Sequence, residues 1–117
     1  MSSNEFSGPI PATIYGMTSL EYCDFASNYL SGSLSRDIGN MTSLRRIGLE
    51  YNNLIGEIPK EIGGLTNFER LSMCCNNISG SVPRELGNLT NMVGIYLGDN
   101  ALSGTTPSIL LFYNHHA

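Results

Sequence analysis

The feature that most constrains the fold of this chain is a sequence motif that recurs every 24 residues. Residues 51–65 read YNNLIGEIPKEIGGL, and residues 75–89 read CNNISGSVPRELGNL. In the same register stand Asn4, Asn28, Asn52, Asn76 and Asn100, and Gly8, Gly32, Gly56, Gly80 and Gly104. A fixed period within about 20 to 29 residues predicts a solenoid with one strand per coil. The repeat then determines the fold, because a coil can bury its apolar side only against the neighbouring coils.

The apolar alternation that precedes each asparagine predicts short parallel strands. Apolar pairs recur at Cys23/Phe25, Ile47/Leu49, Leu71/Met73 and Ile95/Leu97. Side chains alternate between the two faces of a strand, so these pairs point into the core and the residues between them point outward. Each asparagine follows its strand, where an amide can hydrogen-bond backbone groups of its own coil and the next coil. We therefore expect a ladder of Asn28, Asn52, Asn76 and Asn100.

The second half of each repeat predicts the return path of the coil. The glycine that follows each asparagine permits a backbone bend that a Cβ would hinder. An aliphatic residue and a proline then start the return, and the pairs Ile38-Gly39, Ile62-Gly63 and Leu86-Gly87 follow. We expect these pairs to lie in short 3₁₀ turns on the convex side.

These residues also carry a family resemblance. The phrase L-x-x-L-x-L-x-x-N-x-L-x-G-x-I-P-x-x-L-G-x-L resembles the plant-type leucine-rich repeat, and the match covers about residues 4–110. The resemblance implies a curved solenoid with a parallel sheet on its concave face and a second short sheet after the asparagines. In that family such solenoids form the ectodomains of receptor-like kinases and receptor-like proteins, or secreted inhibitor proteins.

We interpret residues 1–117 as one leucine-rich-repeat solenoid segment of about 4.5 coils. The cysteine-paired caps of family ectodomains are missing, and residues 111–117 are predicted to be a disordered tail. The leading hypothesis is a module that binds a peptide, a protein or a co-receptor ectodomain, with any kinase domain outside this chain. A secreted inhibitor of a wall-degrading enzyme and a truncated fragment without an independent role are the alternatives.

Composition excludes several classes of function. The formal net charge is −4 and the pI is about 4.9, so the chain offers no basic surface for nucleic acid. No apolar segment follows Met1, and the apolar run at residues 109–112 is far shorter than the roughly 20 residues that span a bilayer. We expect neither a signal peptide nor direct membrane insertion. Within a larger parent, the segment would be secreted or lie outside the plasma membrane.

The outward strand positions form the candidate recognition surface, because the repeat's packing leaves them free to vary. Arg46 and Arg70 are equivalent on successive strands, about 4.8 Å apart, and together could grip a carboxylate or phosphate group. The alternative is that they pair with Asp24, Glu50 or Glu69 and only solubilise the face. The predicted ligand-binding residues are Tyr22, Asp24, Arg46, Glu50, Tyr51, Arg70, Ser72, Tyr96 and Asp99.

The cysteines and histidines suggest no catalysis. Cys23 and Cys74 lie two coils apart, roughly 10 Å, which exceeds the ~7 Å Cα limit for a disulfide. Cys74 and Cys75 are adjacent and are interpreted as free thiols at outward positions. His115 and His116 lack a third metal ligand, and no nucleophile–base pair shares a face. We expect no enzyme activity, no cofactor and no metal.

Three N-glycosylation motifs begin at Asn40, Asn77 and Asn88. Two interpretations stay open, because asparagine also suits the turns in which these motifs lie. Glycans at these positions would fit a secreted parent.

Overall fold

Short strands and 3₁₀ helices alternate along each coil. The computed structural model describes residues 6–102. Its strands are β1 (Ser7–Pro9), β2 (Tyr22–Asp24), β3 (Tyr29–Ser31), β4 (Arg46–Gly48), β5 (Arg70–Ser72) and β6 (Gly94–Tyr96). Its 3₁₀ helices are η1 (Ala12–Gly16), η2 (Arg36–Asn40), η3 (Lys60–Gly64) and η4 (Arg84–Asn88). The prediction of one strand and one 3₁₀ turn in each coil is confirmed.

The main sheet is parallel and its register follows the repeat. Strands β2, β4, β5 and β6 are neighbours in that order, and each residue pairs with the residue 24 positions away. Arg46 therefore stands between Tyr22 and Arg70. The second short sheet also exists, as a parallel pair of β1 and β3. Both sheets that the leucine-rich-repeat resemblance implies are therefore present.

One continuous core runs between the sheet and the 3₁₀ helices. Phe68 and Leu71 are fully buried, and so are the aliphatic residues Ile38, Ile62 and Leu86 of the 3₁₀ helices. Every apolar strand pair predicted to point inward is buried. Each coil therefore covers the apolar side of its neighbours, as a solenoid requires.

The asparagine ladder is present, and Asn52 shows its geometry. Its Nδ2 donates to the carbonyl of Leu49 in its own coil and to that of Phe25 in the preceding coil, both at 3.0 Å. Its Oδ1 accepts from the N–H of Leu30, also at 3.0 Å. Asn76 repeats the pattern. The expectation of contacts to the next coil was wrong: these side chains bond backbone groups of the preceding coil, where the Leu30 N–H and the Phe25 carbonyl lie within reach of Asn52.

Backbone geometry confirms the predicted bend and adds a second one. Gly32, Gly56 and Gly80 have φ of 72°, 80° and 75°, a region that favours glycine. The residue before each ladder asparagine is also left-handed without being glycine: Ser27, Tyr51, Cys75 and Asp99 have φ between 52° and 67°. The sequence did not reveal this second bend, because the four residues share no type.

Gly63 lies where the backbones of two coils approach closely, and Gly63→Ala is expected to lower the free energy of unfolding by about 1–3 kcal/mol. A Cβ there would lie 2.6 Å from the carbonyl oxygen of Glu85, a backbone atom that cannot move alone. The adjacent Gly64 faces open space, so Gly64→Ala is the matched control. Urea denaturation of both variants measures the difference. Equal stability of the two would contradict the close approach.

Several predictions fall outside residues 6–102: the tail at 111–117, the coil positions Asn4 and Gly104, and the two histidines. Within the described range, no helix is long and apolar enough to cross a bilayer.

Candidate functional site

A shallow cavity of about 260 Å³ lies on the concave face over β2, β4 and β5. Its floor is made of strand backbone around Cys23, Ile47 and Gly48, and its polar side chains come from three successive coils. These side chains are Tyr22, Asp24, Arg46, Glu50, Arg70 and Ser72. Six of the nine residues predicted from the sequence are thus brought together in one place.

The two predicted arginines are neighbours, but each packs on a tyrosine. The guanidinium of Arg46 lies 5.7 Å from the ring centroid of Tyr22, and that of Arg70 lies 5.8 Å from that of Tyr96. Such cation–π contacts orient the guanidinium planes. Tyr96 thereby joins the site without lining the cavity. The result is two aromatic–guanidinium pairs side by side on the concave face.

Arg46 and Arg70 differ in their ion pairing. Arg46 Nε donates to Glu69 Oε1 at 3.2 Å, as the solubilising alternative anticipated. Arg70 forms no ion pair within residues 6–102, and its Nε atom is buried without a hydrogen-bond partner there. The positive charge of Arg70 is therefore available for a ligand.

Tyr51 and Asp99 form a separate rim. Both lie at the left-handed bend that ends each strand segment, next to Cys75. The Cys75 Sγ lies 3.9 Å from Asp99 Oδ2, and a hydrogen bond with the Cys75 thiol is the main cause that raises the pKa of Tyr51. The structure therefore divides the predicted site into a central cavity and this rim.

Sequence reasoning missed an ion-pair cluster at the edge of the sheet. Arg45 bonds Glu69, through Nε at 2.8 Å and through Nη2, and lies 3.5 Å from Glu21. The hydrogen bond from Arg45 is the main cause that lowers the pKa of Glu69. The cluster borders a larger polar groove of about 430 Å³. The sequence did contain a sign of this cluster: Glu21, Arg45 and Glu69 are spaced 24 residues apart, and each directly precedes a strand.

The charges of this edge groove already satisfy one another, whereas those of the concave cavity do not. Arg45 is shared by two carboxylates, and Asn91 donates to the carbonyl of Thr66 at 2.9 Å. In the cavity, by contrast, Glu50 Oε1 and Arg70 Nε have no partner within residues 6–102. We therefore place the candidate binding site in the smaller, concave cavity.

All three cysteines are free thiols, and one of them is not where the alternation predicted. Cys74 was expected to face solvent, but it is only 2% exposed. Its sulfur lies 2.7 Å from that of Cys75. Burial is the main cause that raises the pKa of Cys74 and that raises the pKa of Cys23 to about 11.

These pKa shifts predict selective alkylation. Only a thiolate reacts with iodoacetamide. Cys23 and Cys74, which are also buried, should therefore react far more slowly at pH 7.5 than the more exposed Cys75. Cys23 labelling should rise roughly tenfold per pH unit below its raised pKa. Peptide mapping by mass spectrometry at several pH values measures this. Labelling of Cys23 as fast as Cys75 at pH 7.5 would contradict the buried thiol.

The three glycosylation motifs lie at the surface. The side chains of Asn40, Asn77 and Asn88 are exposed, and Asn40 and Asn88 are the last residues of η2 and η4. Use of these motifs stays a prediction. In the part of the chain that the structure describes, no cluster of three His, Cys, Asp or Glu side chains could hold a metal ion.

Sequence and structure comparisons define the class of this protein. The Leucine Rich Repeat family profile matches residues 19–41, 43–65 and 67–89, which is more than half of the chain. The chain belongs to the leucine-rich-repeat family. A search of curated proteins found no match.

The solved structures that resemble this chain include plant receptors and receptor ectodomains. The plant peptide hormone receptor RGFR1, in complex with RGF2, is 36% identical with a TM-score of 0.91, over 94% of this chain and 18% of that one. PEPR1–AtPEP1 is 30% identical with a TM-score of 0.89, over 92% and 15%. The BIR3–SERK2 complex from Arabidopsis thaliana is 32% identical with a TM-score of 0.87, over 95% and 62%. The chain therefore spans only part of these relatives, between 15% and 62% of their length.

Proposed function

We propose that the chain is a peptide-binding segment of a plant cell-surface receptor ectodomain, and that it binds its ligand on the concave face. The observation that carries the proposal is the cavity with two aromatic–guanidinium pairs, on a fold shared with RGFR1 and PEPR1. Tyrosine and arginine are enriched in protein recognition sites. A rigid solenoid presents them at little entropic cost.

The full set of proposed ligand contacts follows the geometry. Tyr22, Asp24, Arg46, Glu50, Arg70 and Ser72 form the cavity, Tyr96 orients Arg70, and Tyr51 and Asp99 extend the surface along the rim. A second ectodomain is a further proposed partner. The fold that this chain shares with the BIR3–SERK2 complex supports that proposal. The proposed location is the extracellular side of the plasma membrane. Signalling would be carried out by a domain outside this segment, which itself is proposed to be non-enzymatic.

A displayed random-peptide library, panned against the purified 117-residue chain, tests the proposal. The affinity of enriched peptides is then measured by calorimetry. The concave double variant Tyr22→Ala/Arg70→Ala should bind at least about tenfold more weakly, a loss of about 1.4 kcal/mol. The matched control is Arg36→Ala/Lys60→Ala, which removes two exposed cations from the convex side.

Two results would overturn the proposal. One is a library that yields no binder. The other is a set of binders that the concave variant leaves unaffected while the convex variant weakens them.

A further inference from the structure

Two buried polar atoms in the concave cavity have no hydrogen-bond partner within residues 6–102. They are the acceptor Glu50 Oε1 and the donor Arg70 Nε. Both residues line the same cavity of about 260 Å³. A buried polar group is normally paired, so each such atom in a native structure needs an explanation. A donor and an acceptor left together in one cavity indicate a ligand that supplies the complement of each.

The neighbouring charged groups do not supply the missing hydrogen bonds to these two atoms. Arg46 is engaged by Glu69 at the edge of the sheet, and the guanidinium of Arg70 packs on the ring of Tyr96. No ion pair joins Glu50 to Arg70 in the described part of the chain. The two atoms therefore remain unpaired, and the residues that carry them line the same cavity.

Gly48 leaves space beside Glu50 Oε1. A Cβ at Gly48 would lie 3.1 Å from Glu50 Oε1 and 3.1 Å from Asp24 Oδ1. The Asp24 oxygen already accepts from the N–H of Ala26 at 3.0 Å, so of these two oxygens Glu50 Oε1 is the unpaired one. Any larger side chain at Gly48 would occupy the approach to it. The equivalent positions of the three other strands in this sheet carry the side chains of Asp24, Ser72 and Tyr96, so Gly48 is the glycine among the four.

Few chemical groups could pair with both of these atoms. A carboxylate would satisfy Arg70 but has no proton to donate to Glu50, and an ammonium group has the opposite defect. A carboxamide offers an acceptor oxygen and a donor N–H on separate atoms of one planar group. We propose that Glu50 and Arg70 form a carboxamide subsite, which holds a main-chain or side-chain amide of the bound peptide. This inference rests on the proposed function and names the group that the cavity takes.

Small amides test the subsite without knowledge of the ligand. The ¹⁵N-labelled chain is titrated with acetamide, N-methylacetamide and N,N-dimethylacetamide, and the amide signals of Gly48 and Ser72 are followed by NMR. The first two probes should give saturable shifts, and N,N-dimethylacetamide, which lacks N–H, should bind at least about threefold more weakly. Stronger binding of acetamide indicates a side-chain amide, and stronger binding of N-methylacetamide indicates the main chain.

Variants identify the two contacts. Glu50→Leu removes the acceptor, and Arg70→Lys keeps the positive charge but removes the Nε donor. Each should reduce the saturable shift at least threefold, while Glu57→Leu, an exposed carboxylate outside the cavity, should not. The dispersion of each NMR spectrum shows whether the variant is folded. Because Arg70→Lys is the milder change, it keeps the test decisive if Glu50→Leu does not fold.

Three outcomes would overturn the subsite. Acetate or methylammonium could shift Gly48 more strongly than acetamide, ethanol could do so as a hydroxyl, or no probe could shift it, which would leave water as the only occupant. Failure here is distinct from failure of the proposed function. Peptides selected by panning that leave Gly48 unshifted reject only the subsite, whereas amide binding without any selected peptide rejects only the peptide module.

Discussion

Phe68→Ala is expected to lower the free energy of unfolding by about 3–5 kcal/mol, the largest effect of any single substitution considered. Phe68 is fully buried at the position that Leu44 and Met92 occupy in the neighbouring coils. Its removal loses apolar burial and leaves a cavity that the flanking coils cannot close without breaking their register. For a domain stabilised by about 5–15 kcal/mol in total, this is a large share.

Urea denaturation followed by tyrosine fluorescence measures the loss, because the chain has six tyrosines and no tryptophan. The matched control is Ile55→Ala, an apolar truncation at a residue that is 51% exposed, which should change stability by about 0.5 kcal/mol or less. A loss below about 1 kcal/mol for Phe68→Ala would mean that the coils repack and that the core is not continuous.

Asn52→Ala is expected to lower the free energy of unfolding by about 1–3 kcal/mol. The substitution removes the acceptor of the Leu30 N–H and one of the two donors to the Phe25 carbonyl, which keeps the bond from Asn28. The Leu30 N–H is then left unpaired at a site where Asn52 itself is only 7% exposed. Asn100→Ala should cost less, because Asn100 is more exposed although it makes the same set of hydrogen bonds.

The neighbouring Asn53 supplies the control for this prediction. Asn53 has the same side chain but lies exposed at the surface, so Asn53→Ala should be nearly neutral. Chemical denaturation of the three variants ranks the losses. Equal losses for Asn52→Ala and Asn53→Ala would refute the ladder, and equal losses for Asn52→Ala and Asn100→Ala would refute the role of burial.

The sequence predicted the strands, the 3₁₀ turns and the ladder because one period imposes all three. Alternation places Ile47 inward and Arg46 outward, and a 24-residue repeat fixes which residues pair across the sheet. The direction of the ladder was not predictable in this way. An amide that bonds the preceding coil and one that bonds the next coil leave the same period in the sequence.

The sequence predicted which residues lie at the site, but it did not predict which of them contact one another. Periodicity brings Arg46 and Arg70 side by side, but it does not say that Glu69 takes one of them or that Tyr96 stacks on the other. Long side chains choose among several partners within reach, and small differences in backbone angle decide between them. The same limit applies to Cys74, which is buried although the alternation places it on the outward face.

The backward reach of the ladder gives the solenoid a direction of coupling. In a repeat protein, stability is a sum of terms for single coils and for the interfaces between neighbours. Here each interface depends on an asparagine from the later coil, so Asn52→Ala should loosen the junction with the coil before it. Amide hydrogen exchange should then lose protection at Leu30, which bonds Asn52, and retain it at Leu54, which bonds Asn76. A local defect would thus spread toward the amino terminus first.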